Sequence, residues 1–493
     1  MFMPGILKRV LNSITMYRLM LYYLLLLWAT SVILSFAGYL PYNPVDILLS
    51  GVYLGVVCNL ANYFLARIFK ARANLESASI TALILSLIFG PLALSESLFA
   101  LTFVGVVSMA SKYVLAIKKK HVFNPAALGV FLSAIFINSG ASWWGGSIYT
   151  LSVVILGGLL VLTKIKRFGL VGSFLLIYFL STAFLSGNFT INSFLAPSVW
   201  FFVFVMLVEP LTSPSTRNKQ VIFGAAVALS YVFLPKIIPG YAYGLETALL
   251  LGNLLNLALS PSFNLVLTLR EKKKVAQDTW AFYFEPMSKL TFTPGQYLEW
   301  TLPHKNPDSR GFRRYFTISS SPEEKQVMLI IRVAEKGSSF KSALMNLKVR
   351  EELVASSPQG DFVLTKDKTI PLAFIGGGIG VTPFRSMVNH LLAKDEKRDI
   401  ILLFSNKEEK ESAFKELFEK AKDVGVKTFY INTTKDGHID EEMIREKIPD
   451  YQKRTFYISG PQLMVEAIGK MLLKKMNVAK IKTDFFPGYT ETQ

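Results

Sequence analysis

The chain has 493 residues, of which 51% are hydrophobic and 18% are charged, and its mean hydropathy is +0.38. Because soluble domains carry about 25% charged residues, this composition argues against a single soluble domain, a disordered chain and a fibre. The long apolar runs fall in the first 262 residues, and most of the charge follows residue 265. The sequence therefore predicts a membrane half followed by a soluble half.

The net charge of +18 does not predict a nucleic-acid partner, because much of the positive excess lies in short loops between apolar segments. Loops 67–76, 118–121, 164–167 and 211–219 hold most of it, and the loops between them hold little. Positively charged loops stay on the cytoplasmic side of a membrane. We therefore expect a multi-pass protein of the cell membrane, in contact with lipid, with its C-terminal domains in the cytoplasm.

The first domain, residues 1–262, is predicted to be a polytopic α-helical membrane domain. A transmembrane helix needs about 20 mostly apolar residues, and the apolar segments of this half number about ten. The predicted spans are residues 20–38, 46–66, 78–94, 97–117, 122–138, 147–163, 168–187, 194–209, 220–237 and 243–260.

Proline, glycine and polar residues interrupt several of these spans, most clearly at residues 124–129 and 209–214. Interrupted helices either frame a cofactor or ion site or reflect ordinary helix ends and tight packing. Glu209 is the ionisable residue nearest the end of a span. It is either an ion or proton carrier or a residue of the cytoplasmic interface, and the sequence leaves both alternatives open.

The cysteine and histidine content limits the metal cofactors. Cys58 is the one cysteine and lies in an apolar run, where a buried structural thiol is expected. One cysteine excludes cysteine-rich zinc sites and an iron–sulfur cluster held by four cysteines of this chain. Of the four histidines only His121 is near a predicted span, so we expect no haem held between two membrane histidines and no bound metal.

Four short motifs of the membrane half occur in the order and spacing of one known family: residues 77–83, 123–129, 209–214 and 222–224. Over roughly residues 45–260 the chain resembles the membrane flavin subunit shared by Rnf complexes and sodium-translocating NADH:quinone reductase. Members of that family carry FMN, joined by a phosphoester to the threonine of a Ser-Gly-Ala-Thr motif that an aspartate precedes. The resemblance also implies additional membrane subunits as partners.

The nearest match to that motif is residues 139–142, where Ser142 replaces the threonine and Phe136 stands at the position of the aspartate. The resemblance implies FMN carried on Ser142. The alternative is an outward-facing loop that leads into the interfacial pair Trp143 and Trp144.

The soluble half predicts two domains. Residues 263–368 contain short β segments separated by turns, which are typical of an antiparallel β-barrel; the predicted strands are 277–284, 296–302, 314–320, 327–333 and 352–357. Residues 369–493 alternate strand and helix, which predicts a doubly wound α/β domain. Its predicted strands are 371–375, 399–405, 426–432, 454–459 and 480–486, and its predicted helices are 382–393, 409–422, 440–447 and 461–476.

A glycine-rich loop at residues 376–383 follows the first strand of the α/β domain and opens a helix at Pro383. Glycines let the backbone approach a pyrophosphate, and the start of a helix supplies N–H groups and positive potential. Val381 occupies the position of the third glycine in the Rossmann fingerprint. The loop is therefore either a phosphate site or a tight turn without a ligand.

A strand of the barrel carries Arg314, an aromatic residue at 316 and a hydroxyl at 317. An arginine can hold a phosphate through two hydrogen bonds. An aromatic ring two residues later points to the same face of the strand and can cover a flat ring. Alone, this strand is equally consistent with core packing and a surface arginine, but the glycine loop in the next domain favours a flavin.

Together these motifs resemble the ferredoxin–NADP reductase family over about residues 270–490, beginning with a barrel entry at 292–297. The resemblance implies that Arg314 holds the FAD phosphates, that Phe316 packs on the isoalloxazine and that Thr317 approaches N5. It places Thr317 and Ser459 at the catalytic centre, where Ser459 replaces the family's cysteine. The implied cofactor-binding residues are Arg314, Tyr315, Phe316, Thr317, Ser319, Ser320, Gly337, Ser338, Ser339, Phe340, Gly376, Gly377, Gly378, Gly380, Thr382, Pro383, Ser405, Asn406, Gly460, Pro461 and Met464.

We therefore expect a membrane-bound flavoprotein that passes electrons from NADH or NADPH through FAD to a flavin or quinone acceptor in or across the membrane. Lys407 either pairs with a 2′-phosphate or is a solvated lysine, so the choice of nucleotide stays open. The alternatives are a tethered cytoplasmic flavin reductase, a redox-sensing transporter and an enzyme similar to ferric reductases.

Overall fold

The computed structural model describes residues 11, 14–69, 71, 73–91, 94–117, 120–187, 196–214, 216–238, 244–259, 264–308, 310–333 and 338–484. The chain divides into two compact units. The first is Ile14–Phe263, and the second is Asn264–Gln493 together with Met1–Ser13.

The first unit is built from apolar helices, which we number α1 to α10. Asparagine side chains cap several of them: Asn43 accepts from the N–H of Val45, and Asn124 accepts from the N–H of Ala127. The helices are α1 (Met16–Phe36), α2 (Pro44–Ile68), α3 (Leu75–Ile88), α4 (Leu94–Val114), α5 (Pro125–Ile137), α6 (Leu151–Ile165), α7 (Phe168–Ser186), α8 (Pro197–Phe201, continued as a π-helix over Phe202–Leu207), α9 (Arg217–Ile237) and α10 (Leu245–Leu259). A two-stranded hairpin, β1 (Ala116–Ile117) and β2 (Lys120–His121), precedes α5.

Four of these helices, α1, α2, α7 and α9, are long and apolar enough to cross a membrane by length and composition. In the other helices the apolar stretches with described side chains span 10–17 residues, and in α4 this stretch is Leu98–Val114. The N-terminal half is thus helical, as predicted. The count of about ten membrane spans stays a prediction, because stretches of this length do not by themselves reach across a bilayer of about 30 Å.

A six-stranded antiparallel sheet begins the second unit, in the order β6-β5-β8-β3-β4-β7. Its strands are β3 (Leu265–Ala276), β4 (Thr279–Pro286), β5 (Tyr297–Thr301), β6 (Arg313–Thr317), β7 (Val327–Arg332) and β8 (Glu352–Ala355), with α11 (Ser339–Asn346) between β7 and β8. Side chains from all six strands enclose one apolar core around Trp300, Phe282 and Phe340. Sequence patterning missed β3, because five charged residues at 270–274 hide its alternation of buried Leu265, Leu267 and Leu269.

The following sheet is parallel, in the order β11-β10-β9-β12-β13, with an apolar core on each face. Its strands are β9 (Leu372–Gly377), β10 (Ile400–Asn406), β11 (Val426–Asn432), β12 (Thr455–Ser459) and β13 (Ile481–Asp484). Its helices are α12 (Thr382–Lys394), α13 (Lys415–Lys420), α14 (Glu441–Lys447) and α15 (Gln462–Lys474). The predicted helix 409–422 is broken by short 3₁₀ turns on both sides of α13, and the order of the strands is doubly wound, as predicted.

We expect Gly129→Ala to destabilise the helical unit. An added Cβ would overlap Ser108 Oγ and lie 3.0 Å from the carbonyl oxygen of Val104, so the Ser108 side chain would have to rotate and the α4–α5 contact would have to widen slightly. Overpacking of this kind costs about 1–3 kcal/mol. The matched control is Gly172→Ala in α7, where an added Cβ meets no described atom within 4 Å. Thermal unfolding in detergent should show a lower midpoint for the first variant only, and equal midpoints would contradict the close approach.

Candidate functional site

The first part of the site is the end of β6, where two buried hydroxyls lack partners. Thr317 is 3% exposed and Ser319 is 0% exposed, and within the described chain neither Thr317 Oγ1 nor Ser319 Oγ has a hydrogen-bond partner. An unsatisfied buried hydroxyl costs about 1–3 kcal/mol. A ligand that supplies partners here removes this cost, and the ring nitrogens and carbonyl oxygens of a flavin are suitable partners.

Two predicted phosphate contacts, Arg314 and Ser339, meet at Asp308. Arg314 Nη2 donates to the Asp308 carboxylate at 2.6 and 2.8 Å, and the backbone N–H of Asp308 donates to Ser339 Oγ at 2.9 Å. Partial burial would raise the pKa of the Asp308 carboxyl, but the N–H of Arg310 and the Arg314 guanidinium hold that pKa below its ordinary value. The anion paired with Arg314 in this structure is therefore a carboxylate of the same domain.

The start of α11 lies beside Arg314 and Asp308. Ser338 caps the helix by accepting the N–H of Lys341 at 3.3 Å, so the first turn presents N–H groups and positive potential. The Arg314 guanidinium lies over the ring of Phe340, 5.5 Å from its centroid. Gly337, the remaining member of this predicted motif, lies outside the described residues.

Aromatic rings flank the end of β6. The Phe316 ring lies 5.7 Å from the Phe340 ring, and the Tyr315 ring lies 5.7 Å from the Tyr297 ring at an edge-on angle. Tyr315 is 39% exposed. The strand thus presents an aromatic side chain on each face. Together with the free hydroxyls and Arg314, these residues fit the ring and the phosphates of FAD.

The second part of the site is the glycine loop after β9. An added Cβ at Gly380 would overlap Gly460 Cα and the carbonyl oxygen of Ser459, so the loop and the turn after β12 touch through their backbones. An added Cβ at Gly377 would lie 2.5 Å from Met464 Sδ. Gly376 pairs with Ser459 across β9 and β12. The predicted residues of the loop and of the 459–464 turn are therefore brought together at one sheet edge.

Gly378 differs from its neighbours because it faces open space. Its φ is +55°, and an added Cβ would meet no described atom within 4 Å. The loop passes through a 3₁₀ turn into α12, which begins at Thr382 and Pro383. A backbone that faces open space just before a helix start is the geometry that accepts a pyrophosphate.

Gly378 and Thr382 line a shallow open cleft, which also reaches Asn406 at the end of β10. Asn406 Nδ2 donates to Ser412 Oγ at 2.9 Å, whereas Asn406 Oδ1 is buried and unsatisfied by any described atom. Ser405 is buried at the same strand end. Pro461 caps α15 across the sheet edge. These positions fit a nucleotide that lies across the carboxyl ends of the parallel strands.

The structure adds contacts between the barrel and the α/β domain that sequence reasoning missed. Ile379 of the glycine loop and Phe414 pack on Ala281, Met328 and Ile330 of the barrel. Arg332 at the end of β7 pairs with Glu411 at 2.8 Å, and Arg385 of α12 pairs with Glu324 at 2.6 Å. The sequence signal for Arg385 was a single charged residue near the start of an otherwise mostly uncharged helix, and the structure shows that its neighbours Phe384 and Ser386 are buried.

Ser142 belongs to the helical unit, where its loop caps the end of α3. The N–H groups of Ser142 and Trp143 donate to the carbonyl oxygen of Ile88 at 2.8 and 3.1 Å, and the N–H of Gly145 donates to Leu87. Ser142 is exposed. The loop therefore has a fixed backbone and an accessible hydroxyl, and attachment of FMN there stays a prediction.

A buried polar cluster lies where α5, α10 and the segment after α8 meet. Glu209 accepts from Asn124 Nδ2 at 2.8 Å and from Thr212 Oγ1 at 2.9 Å, and it lies 3.4 Å from His121 Nε2. Asn253 of α10 accepts the N–H of Asn124 and donates to the carbonyl of Thr212. The hydrogen bonds of Glu209 therefore connect its own segment to the chain before α5, and transport through Glu209 stays a prediction.

Family comparisons match the second unit. A family model described as oxidoreductase FAD-binding domain matches residues 266–364, and one described as oxidoreductase NAD-binding domain matches residues 374–470. The C-terminal half is therefore a ferredoxin–NADP reductase-type, NAD(P)H-dependent FAD oxidoreductase module, as the sequence predicted. Neither match extends into the helical unit, so its resemblance to a membrane flavin subunit stays a prediction.

Known proteins similar to this chain include two flavohemoproteins. Flavohemoprotein A of Dictyostelium discoideum is 28% identical over 209 residues, or 39% of this chain and 53% of that protein. The flavohemoprotein of Candida albicans is 30% identical over 233 residues, or 43% of this chain and 57% of that protein. The chain spans about half the length of the curated relatives it matches.

Among solved structures, the chain is similar to the FAD/NAD-binding domain of nitric oxide dioxygenase from Vibrio cholerae. The two are 21% identical, with a TM-score of 0.39, over 45% of this chain and 98% of that chain.

Arg314→Ala should lower the FAD content of the purified protein, because a phosphate loses a charge-assisted contact worth about 1.5–3 kcal/mol. Asp308→Asn is the matched variant: it removes the competing carboxylate and should retain FAD at least as well as the unchanged protein. The measurement is the flavin-to-protein absorbance ratio after gel filtration. Full FAD content in Arg314→Ala would contradict the assignment of Arg314 to the phosphates.

Gly378→Val should raise the KM for NAD(P)H and leave the FAD content near normal. The positive φ of Gly378 is unfavourable for a β-branched residue, and the valine side chain would occupy the open face where the pyrophosphate is expected. Steady-state oxidation of NADH and of NADPH with an artificial dye gives the KM. An equal loss of FAD would show that the substitution disturbs the whole unit.

Proposed function

We propose that this chain is a membrane-bound flavoprotein oxidoreductase that passes electrons from NAD(P)H through FAD to a quinone or flavin acceptor in or across the membrane. The observation that supports it is the pair of unsatisfied buried hydroxyls at the end of β6, in the same unit as the glycine loop and Ser459. The apolar helices of the first unit support the location in a cell membrane, with the second unit in the cytoplasm.

Each part of the second unit has a role in this proposal. When bound, FAD would supply the redox chemistry, which is hydride acceptance from NAD(P)H and delivery of electrons to the acceptor. Arg314 and the start of α11 bind the FAD phosphates. Thr317 donates its hydroxyl proton in a hydrogen bond to the ring, and the backbone of 376–380 binds the nucleotide pyrophosphate against α12.

Ser459 positions the nicotinamide in place of the family's cysteine. It is 2% exposed and lies opposite Gly376 in the sheet register. A serine hydroxyl is smaller and less polarisable than a thiol. We therefore expect the Ser459 side chain to contribute less to holding the nicotinamide ring than the backbone of the turn 459–461 and Met464.

The role of the helical unit separates this proposal from a tethered cytoplasmic flavin reductase. Full-length protein in membranes should reduce a quinone or a soluble flavin faster than the fragment 264–493, whereas both should oxidise NAD(P)H with an artificial dye. The fragment keeps the hydride chemistry, because FAD and the nucleotide bind within it. If the full-length protein and the fragment reduce every acceptor at equal rates, the helical unit only anchors the enzyme. That result would contradict electron transfer through the helical unit.

The names of the matched relatives favour a second candidate, in which the first unit binds haem. His121 is the one histidine in residues 1–262, and haem iron takes one protein ligand in several classes of haem protein. His121 lies 3.4 Å from Glu209, which argues for a structural role instead. Our proposal expects no Soret band in purified full-length protein. A Soret band that disappears in His121→Ala would contradict our proposal and show that His121 binds haem.

A further inference from the structure

Beyond the nucleotide sites, helix α12 of the α/β domain forms hydrogen bonds with the barrel loop 319–324, which directly follows the end of β6. Arg385 of α12 is 8% exposed. Its Nη1 donates to Glu324 Oε2 at 2.6 Å and to the carbonyl oxygen of Ser319 at 2.9 Å, and its Nη2 donates to Glu324 Oε1 at 2.8 Å. A guanidinium that makes two parallel bonds to a carboxylate fixes direction as well as distance.

The neighbouring residues of α12 extend this contact. Ser386 Oγ donates to the carbonyl oxygen of Ser320 at 2.6 Å, and Asn389 Nδ2 donates to Ser321 Oγ at 3.0 Å and to Glu324 at 2.9 Å. The loop is closed on itself, because the N–H of Ser321 donates to Glu324 Oε2 at 2.6 Å. The barrel loop 319–324 is therefore hydrogen-bonded to three residues of α12, Arg385, Ser386 and Asn389.

The path along the chain from this contact to both reacting ends is short. Thr317 precedes Ser319 by two residues, and Gly380 precedes Arg385 by five residues. Gly380 in turn lies against Ser459 and Gly460, where the nicotinamide is proposed to bind. A shift of α12 against the loop would thus move the nucleotide relative to Thr317.

We propose that Arg385, held by Glu324, is a positioning residue that sets the approach of the nicotinamide to the flavin. The step that it serves is transfer of a hydride from C4 of the nicotinamide to N5 of the flavin, which oxidises NAD(P)H to NAD(P)⁺ and reduces FAD by two electrons. This inference rests on the proposed function. Reacting atoms must come within about 3–3.5 Å, and a displacement of about 1 Å costs about 100-fold in rate.

The test is anaerobic stopped-flow reduction of FAD in full-length Arg385→Ala and Arg385→Lys at saturating NADH or NADPH. We expect reduction to slow by about 10- to 100-fold, with FAD content and KM close to those of the unchanged protein. The primary isotope effect with 4-deuterated nucleotide should rise as hydride transfer becomes limiting. Lysine keeps the charge but not the two parallel bonds, so it should restore the rate only in part.

The control is His390→Ala, which removes the outer contact of the same helix with the same loop. His390 Nδ1 lies 2.9 Å from Glu323 Oε1, and both side chains are 24% exposed. Loss of this exposed pair should leave the reduction rate unchanged. If Arg385→Ala does not fold, Glu324→Gln is used, since it keeps the shape of the acceptor and removes its charge.

A second readout needs no turnover. In the apoprotein, hydrogen exchange of the amides of residues 319–324 should be faster in Arg385→Ala than in the unchanged protein and in His390→Ala. Unchanged exchange together with an unchanged reduction rate would overturn the positioning role. Failure of the unchanged protein to reduce FAD with either nucleotide would instead overturn the proposed function.

Discussion

The second unit depends on one backbone contact, the approach of Gly380 to Ser459 and Gly460. There is no room for a Cβ at this point, so the loop after β9 and the turn after β12 form one surface. That surface fixes the start of α12, and α12 fixes the barrel loop through Arg385. Two domains with separate cores are therefore held together by these contacts, and the proposed FAD and NAD(P)H sites lie next to them.

Much of the second unit was predictable because its residues act locally. A glycine loop after an apolar strand, a proline at a helix start and an arginine two residues before an aromatic ring each have a short-range physical reason. Asp308 and Glu324 were not predictable in the same way. Their roles come from partners 6 and 61 residues away in the chain, and no period or spacing in the sequence indicates such pairs.

Less of the helical unit was predictable from the sequence. Composition indicated apolar helices, but hydropathy alone did not give their lengths, because their ends are set by hydrogen bonds across the fold. The loop at 142–145 closes α3 by donating to Ile88 and Leu87, and Asn253 receives the N–H that begins the cap of α5. Hydropathy windows extend over such ends, so the predicted span 78–94 is longer than the helix Leu75–Ile88 and shifted from it.

The hydrogen bonds between α12 and loop 319–324 also limit how the α/β domain can be exchanged between proteins. An α/β domain in which other side chains replace Arg385, Ser386 and Asn389 would leave Glu324, the carbonyl oxygen of Ser320 and the hydroxyl of Ser321 without these partners. A chimaera that exchanges the α/β domain therefore has to keep these three residues of α12 or replace loop 319–324 together with the domain.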